Sequence, residues 1–94
     1  MADLASLNVI VYGRVQGVYF RAFTTRHALE LGLTGYVRNS TGGKSVEVQV
    51  EGERDKLEQL ITYLKKGPLG SRVDRLDLSW AEYSGLYSGF NIRY

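Results

Sequence analysis

Ninety-four residues, 44% of them hydrophobic, suffice for one compact core, which predicts a single domain over residues 1–94. The lack of cysteine removes disulfides, thiolate metal sites and cysteine nucleophiles, and a net charge of +2 is too small to imply a polyanionic partner. The amino end lacks the basic and apolar segments of a signal peptide, and no stretch approaches the ~20 apolar residues of a membrane helix, so a cytoplasmic protein with no membrane partner is expected.

Leu7 to Tyr12 alternates as a strand, with Val9 and Val11 on one face and Ile10 and Tyr12 on the other, and Gly13 ends it. From Arg21 the period changes to that of a helix of about three turns. In it Phe20, Thr24, Ala28 and Leu31 share a face, and Gly32 is the expected C-cap. Gly35 to Asn39 is a short strand, Ser40 to Lys44 a turn, and Val46, Val48 and Val50 alternate in a third strand, which predicts a β-hairpin. A second helix is expected over Asp55 to Lys66, opened by a capping box of Asp55 and Glu58. Leu57, Leu60, Ile61 and Leu64 form its buried stripe, and Gly67-Pro68 stops it. Arg72 to Tyr83 reads as a long strand in which Val73 is out of phase with Leu76, Leu78 and Trp80, predicting a bulge or a late start. Beyond a turn over Ser84 to Gly89, Phe90, Ile92 and Tyr94 alternate in a last short strand.

This order predicts an α+β fold, a ferredoxin-like split βαβ sandwich. Two helices stack on one face of a mainly antiparallel sheet, with a short C-terminal strand added. The opposite face stays more open, and the third strand shows Glu47, Gln49 and Glu51 there. The architecture hosts unrelated functions, so function must be argued from a site.

The charge points to one. Residues 14 to 44 carry Arg14, Arg21, Arg26, Arg38 and Lys44 against Glu30 alone, a field that suits steering a small anion better than coating a nucleic acid. Within this stretch, residues 13 to 21 read Gly-Arg-Val-Gln-Gly-Val-Tyr-Phe-Arg, a loop between the first strand and the first helix. Gly13 and Gly17 free the backbone so that N–H groups converge in an anion-accepting nest. Arg21 stands at the helix start, where a cation opposes the dipole unless an anion is expected, and where its fork clamps two phosphate oxygens. Arg14, Val15, Gln16, Gly17, Val18, Tyr19 and Phe20 are therefore the candidate phosphate-binding loop.

The chemistry available beside that loop is narrow. With one histidine, no cysteine and no carboxylate pair there, the common metal sets and nucleophilic triads are missing, and no metal or cofactor is expected. Phosphoryl transfer needs mainly positioning and charge stabilisation, and needs no general acid when the leaving group is a weak base. An acyl phosphate meets that condition, because its leaving carboxylate has a pKa of about 4. A carboxamide placed over the loop orients a water by offering an acceptor and donors. Asn39 is the candidate; as a residue at a strand end it equally suits opening the turn.

At these residues the chain resembles the acylphosphatases, small ferredoxin-like hydrolases of the carboxyl–phosphate bond. The family's first motif is similar to Gly13, Val15, Gln16, Gly17, Val18, Phe20 and Arg21, with residues 14 and 19 at tolerant positions. The second is similar to Gly35-Tyr36-Val37-Arg38-Asn39 followed by a glycine turn and Val46 to Gly52, and the likeness extends from about residue 7 to Tyr94. The resemblance implies that Arg21 and the loop amides hold the phosphate while Asn39 positions the attacking water. It implies a small-molecule acyl phosphate as substrate; separately, a monomer is expected. One departure is visible, since the segment between Asn39 and Val46 is one residue longer than the family's commonest spacing.

Two other readings compete. An RNA-binding module shares this order of elements, but Glu47, Gln49 and Glu51 stand where base-stacking aromatics are required. A catalytically silent module is the other, since similar domains occur attached to larger carbamoyl-handling proteins; nothing follows Tyr94, which favours a free-standing enzyme. Among single residues, Gln16 is expected to fasten neighbouring backbone, and His27 to be a solvated helix residue without function. Ser40 and Thr41 are expected to bond their own turn, and Trp80 and most tyrosines to lie in the core.

Overall fold

A computed structural model describes residues 3–17 and 19–94; Val18, one of the loop candidates, lies outside the described residues. The chain runs β1 (Leu4–Arg14), α1 (Phe20–Glu30), β2 (Thr34–Asn39), β3 (Ser45–Glu53), α2 (Arg54–Lys66), β4 (Arg72–Glu82) and β5 (Phe90–Arg93). The strands form one sheet in the order β4-β1-β3-β2-β5. β1 pairs antiparallel with β3 and β4, β2 antiparallel with β3, and β5 runs parallel to β2 at the far edge. This is the ferredoxin-like α+β arrangement, with a fifth strand extending it.

The period-2 valines make the core. Leu7, Val9 and Val11 of β1, Val37 of β2 and Val46, Val48 and Val50 of β3 are fully buried, as are Ala28 of α1 and Leu57, Leu60 and Leu64 of α2. Each such side chain contributes about 1.5–3 kcal/mol when withdrawn from water, except the smaller alanine. The helix stripes and the sheet face were both legible, so their packing follows from the pattern.

Local chemistry explains the boundaries. α1 closes in a Schellman motif, with the Leu33 N–H donating to the Ala28 carbonyl at 2.9 Å, the Gly32 N–H to Leu29 at 3.1 Å, and Gly32 at φ 72°. α2 begins one residue earlier than expected, and the capping box of Asp55 and Glu58 is not formed. Glu53 leaves β3 in an extended conformation and is itself the N-cap, so Asp55 falls inside the first turn, where its Oδ1 accepts the Lys56 N–H at 2.9 Å. The expected irregularity in β4 is a bulge: Tyr12 pairs with Arg75 but Gly13 with Val73, leaving Asp74 as the extra residue.

Three expectations are corrected by packing. His27 is buried, with its ring stacked on Tyr63 of α2 at 3.8 Å and edge-on to Phe23 at 4.6 Å, because the two helices close over it. Tyrosines are not core residues. Those on the strands and loops lie half-buried or exposed. Arginine guanidinium groups cover the rings of Tyr12, Tyr36 and Trp80 at 4.1, 3.9 and 4.1 Å. Finally, Glu51 does not stand on an open surface but is 1% exposed. Residues 83–89 must carry the chain from β4 at one edge to β5 at the other, and they lie over it. The Ser84 N–H and Oγ donate to Glu51 Oε2 at 3.0 and 2.8 Å, and the Gly85 N–H to Oε1 at 3.0 Å. Beside it, Asn8 donates to Glu47 and Gln49, and Gln49 donates to Ser6.

Candidate active site

Because β1 and β2 are both antiparallel to β3, and β5 is parallel to β2, three strands end at the same side of the sheet as the amino end of α1. The residues that follow or close these strands therefore meet. Val15 and Phe20 are each 1% exposed and anchor the two ends of the loop in the core. Between them Gln16 turns its side chain toward the hairpin, where Nε2 donates to the Ser40 carbonyl at 3.0 Å and the Ser45 carbonyl at 2.8 Å. Its expected role of fastening backbone is what the geometry shows.

Gly13 contributes differently from the expectation that placed it in the nest. Its N–H donates to the Lys44 carbonyl at 3.2 Å, and the Val15 N–H donates to the Gly13 carbonyl at 3.0 Å, so these two amides are already engaged within the protein. Glycine is required at position 13 for another reason: a Cβ there, at φ +137°, would stand 2.0 Å from the Arg72 carbonyl oxygen at the β4 bulge. Further on, Gly17 has φ 73° and Tyr19, the N-cap of α1, has φ 60°. Among the described residues no side chain caps this helix, and its first turn holds no acidic residue. The partial positive charge of the helix amino end is thus not offset by a cap or an acid among those residues.

Val15, Gly17, Tyr19, Phe20, Arg21 and Asn39 line one cleft of about 390 Å³, together with Ala22, Ile92 and Tyr94. Arg21 and Asn39, far apart in sequence and on different elements, are thereby brought to the same space. The Arg21 guanidinium stands over the Tyr94 ring at 4.9 Å and has no ion pair among the described residues. Asn39 pairs with Val46 across the hairpin, so β2 keeps its pairing with β3 up to the turn. Arg14 is exposed and lines a separate cleft with Tyr12, Lys44 and Arg72, away from the candidate site. Arg38, next to Asn39, is engaged by Glu47 at 2.5 Å. Of the basic run, only Arg21 faces the cleft.

The sequence reading missed Ala22, Ile92 and Tyr94. Ala22 was visible as the neighbour of Arg21. Ile92 and Tyr94 had no such signal, because the edge that β5 joins cannot be read from its own alternation. Among the described residues no group of three histidine or acidic side chains is placed to hold a metal ion, and no helix is long and apolar enough to cross a membrane.

A guanidinium, an uncapped helix amino end and a carboxamide around one cleft are donors suited to a tetrahedral anion, here presented by a ferredoxin-like α+β fold. Comparison with known proteins agrees. The family model Acylphosphatase matches residues 7–92. A relative named acylphosphatase from Caldivirga maquilingensis is 48% identical over 94 residues, covering 100% of this chain and 99% of that one. The crystal structure of acylphosphatase from Bacillus subtilis superposes with a TM-score of 0.91 at 33% identity, over 98% of this chain and all of that chain. Full-length HypF matches with a TM-score of 0.90 at 28% identity, over 100% of this chain but 12% of that one. The chain belongs to the acylphosphatase family, hydrolases acting on acid anhydrides.

Proposed function

We propose that this cleft hydrolyses small acyl phosphates without a metal ion. Arg21 and the amides from Gln16 to the start of α1 hold the phosphoryl group, and Asn39 orients the attacking water. The oxygen of water bonds to phosphorus as the bond from phosphorus to the acyl oxygen breaks, the electron pair leaves with the carboxylate, and the proton that the water loses passes to a phosphate oxygen of the substrate. That leaving group departs as an anion at neutral pH, so no proton donor is required. The catalytic effort falls on position and charge, which the cleft supplies through groups anchored on strand ends and on a helix start.

The observation that carries this reading is the convergence of Arg21 and Asn39 on one cleft beside the loop. We read the chain as one domain and as a monomeric, cytoplasmic enzyme that needs no nucleic-acid partner; its match to nearly the whole of the Caldivirga relative supports the first point. Turnover of acetyl phosphate in excess chelator tests the proposal. Hydrolysis well above the spontaneous rate is expected, and activity that disappears with chelator rejects the mechanism.

A further inference from the structure

A second cleft, of about 510 Å³, opens on the flank of α1 next to the first. Both linings include Tyr19 and Ala22. Beyond that shared border stand Phe23 and Arg26 from α1, and Pro68 and Leu69 from the turn after α2. We propose that this cleft is the subsite for the acyl end of the substrate, and that it takes an apolar acyl group ending in an anion. The inference rests on the function proposed above.

Four observations support it. Ala22, with the smallest side chain in the first turn of α1, lies on the border between the two clefts and narrows it least. Tyr19 holds φ 60°, a left-handed conformation disfavoured for a bulky residue by about 1–2 kcal/mol, and its side chain is 86% exposed at that border. Strain of this kind is retained where the surrounding structure imposes it, and here it coincides with the rim of both clefts. Leu69 is fully exposed, and a single exposed leucine is ordinary, but this one shares a concave surface with Phe23 and Pro68. Arg26 lies one turn of α1 beyond Ala22, about 6 Å along the axis, and has no carboxylate partner among the described residues. An apolar wall ending in a free guanidinium matches a hydrocarbon or aryl group ending in a carboxylate.

Three synthetic substrates separate these features: acetyl phosphate, benzoyl phosphate, and benzoyl phosphate with a para carboxylate, whose length spans roughly one helical turn, ~5.4 Å. In the parent protein kcat/KM is expected to rise about tenfold from acetyl to benzoyl phosphate, and a further 3- to 5-fold with the para carboxylate. Leu69→Ala reduces the first ratio. Arg26→Gln abolishes the second ratio and Arg26→Glu inverts it, each rate being taken against the same variant's own acetyl phosphate turnover. Equal ratios in parent and variants, with acetyl phosphate still hydrolysed, overturn the subsite alone. Failure of the parent on all three substrates overturns the proposed function and the subsite with it.

Discussion

The side chain of Gln16 donates to the Ser45 carbonyl at 2.8 Å, joining the loop before α1 to the first residue of β3. The same nitrogen also reaches the Ser40 carbonyl at 3.0 Å, so one amide grips both sides of the hairpin whose first strand ends in Asn39. The candidate phosphate loop and the strand that ends in Asn39 are thereby held in one frame.

Removing that grip is expected to lower kcat more than to unfold the protein. Gln16→Ala costs about 1–2 kcal/mol of stability, because the Ser45 carbonyl keeps the Ser40 N–H as a partner. A displacement of the order of an ångström between loop and Asn39 costs about 10- to 100-fold in rate. Steady-state kinetics and urea denaturation on the same variant decide it. Unchanged kcat beside reduced stability means that the tether is structural only.

Arg21 and Asn39 are expected to fail differently. Arg21→Ala loses inhibition by inorganic phosphate together with turnover, with kcat/KM down by about 100- to 1,000-fold or more. Arg21→Lys recovers little, since an ammonium lacks the planar fork. Asn39→Ala retains phosphate inhibition and loses kcat by a similar factor. If both alanine variants lose phosphate binding, the division of roles is wrong.

Glu51 sets an acid limit on stability. Burial alone raises its pKa, but hydrogen bonds from the Ser84 hydroxyl, the Ser84 and Gly85 N–H groups and the Ser6 hydroxyl outweigh it, and the net shift is downward. A carboxyl whose folded pKa is depressed stabilises fully above its unfolded value near ~4.3, and that contribution is lost as pH falls through the folded value. Glu51→Gln is therefore expected to cost about 1–3 kcal/mol at neutral pH, with the gap to the parent narrowing in acid. Denaturant melts at a series of pH values report it; a gap that widens in acid contradicts the assignment.

Gly13→Ala is expected to destabilise the protein by about 3 kcal/mol or more. The added carbon meets the Arg72 carbonyl, which is backbone and cannot rotate away, while φ stays in a region closed to alanine. Chemical denaturation of the variant checks this, and a loss under about 1 kcal/mol means that the bulge relaxes.

Much of the fold was legible in sequence because it depends on periods and punctuation. Val46, Val48 and Val50 declare a strand with one buried face, Leu57, Leu60, Ile61 and Leu64 declare a helix stripe, and Val73 out of phase with Leu76 declares the bulge. The candidate loop was equally local in sequence, since Gly17 and Arg21, which line the cleft, lie within a few residues of each other. The capping box failed because helix start depends on how β3 releases the chain at Glu53, which a spacing rule does not contain.

Sequence alone determined the elements, the core faces, the kinship with acylphosphatases and the pair of residues to inspect. Tertiary structure decided what no local pattern encodes. It placed Ile92 and Tyr94 beside Arg21 through the parallel pairing of β5 with β2, buried Glu51 under the crossing of residues 83–89, and closed two helices over His27. The division has a physical reason: backbone period and turn chemistry act between residues a few positions apart, whereas strand order, and the clefts that strand ends enclose, follow from how whole faces are covered.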